Sequence, residues 1–183
     1  MNYDIFFLIH SLAHKGFLFD WFIVFFAETY GYLLIVFVGL FLFFHKEGSF
    51  DYKKPFKQII SKSKEAIYVF FVSLLSWSFA SVLKDQISSP RPFLRFSEIS
   101  PLFTHGGMDS FPSGHAMFFS ALAMSVYFYH KKLGIFLFGS AIVISICRVA
   151  SGIHFPVDIF FGFIFGILVA IFLKKVSNYF FKK

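Results

Sequence analysis

His154 and Asp158 are the residues whose types and spacing most clearly indicate chemistry. They are four positions apart, so on a helix they lie on one face, one turn from each other. Pro156 suits the first turn of such a helix, where its missing N–H costs nothing. The aspartate can accept a hydrogen bond from one ring nitrogen, which leaves the other nitrogen free to attack an electrophile. The pattern therefore predicts a histidine nucleophile at a helix start.

Three cations are placed to bind an anion near this histidine. Lys84 and Arg91 are seven positions apart, and Arg148 lies six positions before His154. One guanidinium group can bind two phosphate oxygens at once, and a lysine adds a point charge. Each cation alone could be an ordinary cation at a membrane edge. Together they favour a phosphate site in which they neutralise charge in the transition state.

Ser113, Gly114 and His115 follow a proline and open a predicted helix. Ser113 has the type of an N-cap residue, and Gly114 lets the first N–H groups of the helix approach an anion. His115 could protonate a leaving oxygen. With these parts the sequence predicts phosphoryl transfer to His154 and hydrolysis of the phosphohistidine by water. We expect no metal and no other cofactor, because no carboxylate cluster suited to Mg²⁺ is evident.

The composition indicates that these residues are carried by a membrane protein. The chain has 183 residues, of which 57% are hydrophobic and 15% are charged, whereas soluble domains are about a quarter charged. The net charge of +7 is explained by the positive-inside rule, and no motif for binding nucleic acid is present. The single cysteine excludes an internal disulfide, and we see no removable signal peptide.

Hydropathy predicts one domain, residues 1–183, folded as an all-α integral membrane helical bundle. Residues 1–16 are too short to span and are expected to form an interfacial helix. The five predicted transmembrane helices cover residues 17–44, 66–83, 113–129, 133–150 and 156–173. Residues 84–112 contain several prolines and glycines and form a long outer loop, and loops of this length are usually functional.

The distribution of lysine and arginine predicts the orientation of the bundle. Most of these residues lie in three segments at one end of the spans, residues 45–64, 130–132 and 174–183. The other end holds Lys15, Lys84, Arg91, Arg95 and Arg148. The first end is therefore predicted to be cytoplasmic. We expect a multi-pass protein of a bacterial inner membrane whose site faces the periplasm or the outside.

Three ordered motifs resemble the signature of the type 2 phosphatidic acid phosphatase (PAP2) superfamily. They are Lys84-x6-Arg91-Pro92, Pro112-Ser113-Gly114-His115 and Arg148-x5-His154-x3-Asp158. The resemblance covers residues 66–173 and implies a helical-bundle core and metal-independent phosphatase chemistry through a phosphohistidine. It implies that His154 is the nucleophile, Asp158 its orienting partner and His115 the general acid. It also implies that phosphate is held by Lys84, Arg91 and Arg148, assisted by Ser113 and Gly114.

Two further features of the sequence bear on this resemblance. Cys147 stands where the third motif usually has serine, and a thiol is a poorer hydrogen-bond donor and, if exposed, open to oxidation. Asp20 followed by Ala27-Glu28 in a first span is similar to bacterial PAP2-type undecaprenyl-diphosphate phosphatases. Glu28 within a span is either functional or a protonated or hydrogen-bonded carboxyl packed between helices, and the sequence leaves both readings open.

We therefore predict a membrane lipid phosphatase whose partners are the bilayer and a lipid phosphate. The first expectation is hydrolysis of a polyprenyl (undecaprenyl) diphosphate to the monophosphate and inorganic phosphate. A phosphatidylglycerophosphate or lipid A phosphatase is the alternative within the class. A small anion transporter would place ionisable groups near the midplane, whereas here they cluster at one end apart from Glu28. An inactive lipid-binding scaffold would not need His115, His154 and Asp158 together. The sequence makes no prediction of oligomeric state.

Overall fold

The protein is built from helices joined by short turns and one long connecting segment. The computed structural model describes residues 2–45 and 55–181. The helices are α1 (Asn2–His10), α2 (Phe17–Val24), a π-helical turn (Phe25–Thr29), α3 (Tyr30–Phe44), α4 (Pro55–Ile87), α5 (Pro92–Arg95), α6 (Gly114–Tyr127), α7 (Lys131–Ala150) and α8 (Pro156–Phe181). These two ranges contain no β-strand, and the all-α prediction is confirmed.

Four stretches of the described residues are long and apolar enough to cross a membrane. They are Phe17–Phe44, Ser63–Arg95, Lys131–Ala150 and Pro156–Phe180. The α6 helix has only 14 residues, so at 1.5 Å per residue it is about 21 Å long. This is shorter than a hydrocarbon core of about 30 Å. The helix at the fifth predicted span, residues 113–129, is therefore shorter than the hydrocarbon core, and a crossing by α6 stays a prediction.

Several predicted boundaries are corrected by the length of α4 and α8. The α4 helix includes residues 55–64, which were assigned to a polar loop, and it extends to Ile87, so Lys84 lies on a helix rather than in the outer loop. No glycine or proline occurs between Pro55 and Pro90 to end the helix. The α8 helix likewise continues into the predicted basic tail as far as Phe181. Residues 46–54 of the predicted cytoplasmic loop lie outside the described residues.

The α6 helix is the centre of the bundle and packs against α4, α7 and α8. Its main apolar cluster with α3, α4 and α7 consists of Leu34, Val38, Leu42, Val69, Phe119, Leu122, Ala123, Val126, Leu137, Ala141 and Ile144. On α8, Gly162 and Gly166 face α6. A Cβ at Gly162 would lie 2.8 Å from the Ala116 Cβ and 3.0 Å from the Ser113 carbonyl oxygen. Small residues thus let the two backbones approach, which brings the start of α8 beside the start of α6.

The α1 helix covers the ends of α7 and α8. Phe6 is fully buried and packs in a cluster with Ile99, Val149 and Phe155. One ring nitrogen of His10 lies 2.8 Å from the Ala150 carbonyl oxygen, which it hydrogen bonds. The predicted N-terminal helix is therefore present and docked on the bundle, and its position at a membrane interface stays a prediction.

Candidate active site

Side chains from all three sequence motifs converge at one end of the bundle. Lys84 comes from the end of α4, Arg91 from the turn before α5, His115 from the start of α6 and Arg148 from the end of α7. His154 lies in the turn between α7 and α8, and the charges of Lys84, Arg91 and Arg148 all act on it. The structure thus brings together the residues that the sequence assigned to one phosphate site. Their individual roles stay predictions.

His154 is 1% exposed, and its environment favours the neutral ring. Burial lowers the pKa of His154 well below its ordinary value, and the positive charges of Arg148 and Arg91 lower it further. The ring therefore stays unprotonated at neutral pH. A neutral imidazole has a lone pair available for attack, as a nucleophilic role requires.

Asp158 lies beside His154 but is held mainly by other groups. The His154 Nδ1 and the Asp158 Oδ2 are 3.4 Å apart, and Nδ1 has no hydrogen-bond partner among the described residues. The expected hydrogen bond is therefore not formed in this geometry, although catalytic hydrogen bonds are often long before substrate binds. The same Oδ2 accepts the Ser110 hydroxyl at 2.5 Å and the Phe155 N–H at 2.8 Å. Asp158 is thus held by a serine that the motifs do not include, and its orienting role stays a prediction.

Arg91 and Lys84 are both joined to Asp109, a residue that the sequence reasoning missed. The Arg91 Nε donates to Asp109 Oδ1 at 2.9 Å, and Arg91 Nη2 donates to Oδ2 at 3.1 Å. The Lys84 ammonium donates to the Asp109 backbone oxygen at 2.8 Å. The Arg91 hydrogen bonds, followed by the Gly107 N–H, hold the pKa of the Asp109 carboxyl well below its ordinary value. Asp109 is therefore an anion between two of the predicted phosphate ligands.

Arg148 is buried with part of its hydrogen-bonding capacity unused. Its Nη1 donates to the Ala27 carbonyl oxygen at 2.9 Å, in the π-helical turn. Its Nε is buried and has no hydrogen-bond partner in the described part of the chain. A buried guanidinium with a free donor is costly unless an anion accepts from it. This side chain is suited to bind an anionic ligand beside His154.

The start of α6 has the capping structure that the sequence predicts. The Ser113 hydroxyl accepts from the Ala116 N–H at 3.4 Å, and the Ser113 N–H donates to the Asp158 carbonyl oxygen at 3.1 Å. A Cβ at Gly114 would lie 3.1 Å from the indole ring of Trp77. Gly114 therefore allows a close approach of α6 to α4, in addition to the predicted approach of its backbone to phosphate.

A third histidine, His105, lies next to His115 and was not singled out from the sequence. The two ring centroids are 6.4 Å apart, with the rings nearly perpendicular. Partial burial, followed by the charges of Arg148 and Arg91, lowers the pKa of His105 to about 4. His105, Asp109 and Ser110 all lie shortly before the second motif. The only sequence signal for them was their position in a long loop next to that motif.

An apolar groove of about 290 Å³ begins at His115 and runs between α3, α4 and α6. It is lined by Glu28, Gly31, Tyr32, Ile35, Leu74, Trp77, His115, Phe118 and Phe119. Glu28 is exposed along this groove, and its charge acts on Arg148. This position argues against the packed-carboxyl reading and places Glu28 at the level of the cations.

Cys147 does not face the cations as an exposed thiol. Its residue is 8% exposed, and its side chain belongs to an apolar cluster with Ile23, Ala27 and Ala150. The condition for its oxidation, an exposed thiol, is therefore not met, because α2 and the π-helical turn cover it. The described residues contain no group of three histidine, cysteine, aspartate or glutamate side chains that could hold a metal ion.

The sequence profile of the PAP2 superfamily matches residues 65–182. The chain belongs to the PAP2 superfamily, as its three motifs indicated, and it is an all-helical, multi-pass membrane protein of that phosphatase class.

Individual relatives match the chain at low sequence identity. The chain is 24% identical to the undecaprenyl-diphosphatase BcrC of Bacillus subtilis over 97% of this chain and 85% of that protein. It is 28% identical to the bacitracin transport permease protein BcrC of Bacillus licheniformis over 58% of this chain, and this match spans about half (53%) of the relative. Other relatives are named lipid A 1-phosphatase and phosphatidylglycerophosphatase B. The structure of Aquifex aeolicus LpxE is similar with a TM-score of 0.74 and 26% identity, over 95% of this chain and 94% of that chain.

Proposed function

We propose that the protein removes a terminal phosphate from a membrane lipid by transferring it to His154, and that the lipid is a polyprenyl diphosphate. The observation that carries this proposal is a buried, neutral His154 beside Arg148, whose Nε lacks a partner in the described residues. Fixed cations around a neutral nucleophile suit a phosphoryl group, because they stabilise the charge of its transition state.

The proposed reaction uses these side chains in the roles that the sequence predicts. Nε2 of His154 forms a bond to the terminal phosphorus, and the bond from phosphorus to the bridging oxygen breaks with its electron pair on the leaving lipid. His115 donates its proton to that oxygen. Asp158 stabilises the positive charge that develops on the ring. Water then attacks phosphorus, His115 takes its proton, and the electron pair of the P–N bond returns to His154. The products are a lipid monophosphate and inorganic phosphate.

The groove beside His115 supports a lipid substrate with one long apolar chain. It starts at the predicted general acid, and its lining is mostly aromatic and aliphatic. A chain leaving the scissile bond past His115 would bury apolar surface there. The relative that covers the largest share of this chain among those described above is named an undecaprenyl-diphosphatase, which agrees with this assignment.

A lipid A or phosphatidylglycerophosphate phosphatase is the second candidate. The relatives named lipid A 1-phosphatase and phosphatidylglycerophosphatase B favour it. Both candidates use the same nucleophile and cations and differ in the leaving group. We further propose that α6 completes a fifth crossing together with its flanking residues. The site would then face the extracytoplasmic side, as the lysine and arginine distribution predicts.

Phosphate release by the purified full-length protein in detergent micelles tests the function. We expect release from a panel of polyprenyl diphosphate, phosphatidylglycerophosphate and lipid A to be highest for the polyprenyl diphosphate and unaffected by EDTA. His154→Asn should lower release by roughly 10⁴-fold or more, whereas the exposed His45→Asn at the opposite end of the bundle should not change it.

Four results would contradict parts of this proposal. Release from none of the three lipids would exclude the phosphatase function, and turnover by His154→Asn would exclude the nucleophile assignment. Loss of activity in EDTA would exclude the metal-free mechanism. A higher kcat/KM for phosphatidylglycerophosphate or lipid A would replace the first substrate by the second candidate.

A further inference from the structure

Asp109 contacts both cations of the first motif, and the contacts involve its backbone as well as its carboxylate. Both carboxylate oxygens accept from Arg91, at 2.9 and 3.1 Å. The Lys84 ammonium is 2.8 Å from the Asp109 backbone oxygen and 3.5 Å from Oδ2. A bidentate pair fixes the plane of a guanidinium as well as its charge. The orientation of Arg91 is therefore set from one side by this single residue.

The rest of Arg91 is fixed from the opposite side. Its Nη1 donates to the Ile153 carbonyl oxygen at 3.0 Å, in the residue next to His154. Arg91 is fully buried, so its guanidinium has no solvent to compensate a lost partner. Asp109 and the turn that carries His154 thus hold Arg91 between them, which links the cation to the position of the nucleophile.

The segment before Asp109 is shaped to place its carboxylate. Gly106 has a φ of +63°, a conformation that glycine adopts most readily. A Cβ there would lie 2.8 Å from Asp109 Oδ2 and 2.9 Å from Arg91 Nε. The Gly107 N–H donates to Asp109 Oδ1 at 2.7 Å.

Two backbone hydrogen bonds attach the same segment to the residues around Arg91. Gly107 accepts from the Arg91 N–H at 3.2 Å, and the Ser110 N–H donates to the Ser89 carbonyl oxygen at 2.9 Å. The segment that supports the carboxylate is therefore itself attached to the residues on either side of Pro90.

We propose that Asp109 is a positioning residue that holds Arg91 and Lys84 in the orientation in which they bind the phosphate of the substrate. The inference rests on the proposed phosphate site and not on the identity of the lipid. The competing reading treats the carboxylate as an anion that occupies the site and must be displaced by phosphate. The two readings predict opposite effects when its charge is removed.

Orthovanadate, which mimics the trigonal bipyramidal transition state, is the probe for this proposal. We expect Asp109→Asn to weaken vanadate binding by at least roughly tenfold, because a small misplacement of a catalytic group is costly. The affinity of Asp109→Asn for inorganic phosphate, which resembles the ground state, should fall by less. In lipid hydrolysis by this variant, kcat should fall by a larger factor than KM rises. Glu98→Gln is the matched control, because it removes an exposed negative charge from the same outer segment and should change vanadate binding by less than about twofold.

A second pair of variants displaces the carboxylate without changing any charge. Gly106→Ala would push Asp109 and Arg91 apart, whereas a Cβ at Gly107 would meet only Leu94, at 3.9 Å. We expect Gly106→Ala to weaken vanadate binding by a similar factor to Asp109→Asn and Gly107→Ala to leave it unchanged. Should Asp109→Asn fail to fold, this pair decides the question alone.

Vanadate binding is measured as the shift of the thermal unfolding midpoint of the detergent-solubilised protein, so it needs no lipid substrate. Wild-type protein that binds vanadate but hydrolyses none of the lipids would refute the substrate proposal while still testing Asp109. Equal or tighter binding by Asp109→Asn would overturn the positioning role, and so would equal losses in Asp109→Asn and Glu98→Gln. Unchanged binding in Gly106→Ala would overturn it as well.

Discussion

The two sides of the candidate site are held in different ways. His154, Asp158 and Arg148, which we call the helix side, lie at the ends of α7 and α8 and are at most 1% exposed as residues. His105, Asp109 and Ser110, the loop side, lie in the segment before α6. The Asp109 side chain there is 41% exposed. Burial between helix ends surrounds the first set, whereas hydrogen bonds within a shaped loop and to Arg91 hold Asp109 of the second.

This difference suggests a division of labour. A nucleophile must be kept dry and neutral, and burial between helix ends provides that environment. The cations Lys84 and Arg91 must be oriented towards a lipid headgroup, and the loop residue Asp109 contacts both of them. Changes on the helix side should therefore affect the chemical step, while changes on the loop side should affect orientation and the response to pH.

The largest effect expected after loss of His154 is that of His115→Asn, and its size should depend on the leaving group. An ester releases a strongly basic alkoxide that needs a proton. A diphosphate releases a phosphate whose second pKa is about 6. Loss of the general acid should lower kcat for phosphatidylglycerophosphate by roughly 10²–10⁴-fold, and for polyprenyl diphosphate by clearly less. Rates of phosphate release from both lipids measure this effect. Equal losses of rate on the two lipids would exclude His115 as the acid that protonates the leaving group.

Ser110→Ala tests the link between the two sides and should have an intermediate effect. The Ser110 hydroxyl is a donor to the Asp158 carboxylate, and a hydrogen bond to a charged group contributes about 1.5–3 kcal/mol. We expect kcat to fall by roughly tenfold, which corresponds to about 1.4 kcal/mol, with little change in KM.

The control for this variant is Ser97→Ala, an exposed serine in the same outer segment, which should keep wild-type kcat. If Ser110→Ala kept full activity while losing stability, Ser110 would support only the fold and the two sides would be independent.

The residues of the helix side could be predicted from the sequence because their spacing is regular. His154 and Asp158 are one helical turn apart, Ser113 has the type of an N-cap, and long apolar runs predict spans directly. The contacts of Asp109 depend on the path of a loop between α5 and α6, which no periodicity describes. The short length of α6 and the docking of α1 on the bundle depend on packing between helices. Gly162 and Gly166 indicate close packing against another helix, but only the structure shows that this helix is α6.

The smallest effect expected concerns pH and His105 on the loop side. The pKa of His105 is lowered to about 4 in the folded protein, whereas an unfolded histidine titrates near 6.5. Between these values the unfolded chain binds more protons than the folded chain, so stability rises with pH. The stability contributed by the neutral ring is complete above about pH 6.5 and is lost as the pH falls towards 4. His154 shifts in the same direction, so both sides contribute to this slope.

His105→Gln should therefore make the loss of stability between pH 7 and pH 4.5 less steep without abolishing it. Because His105 is only partly buried, solvent screening limits the change, and we expect a few degrees in the thermal unfolding midpoint in detergent. The remaining slope would then report the other groups with shifted pKa values, among them the buried His154 of the helix side. His45→Gln, an exposed histidine at the opposite end, should leave the pH profile as in the wild type. An unchanged slope in His105→Gln would mean that His105 does not contribute to the response to acid.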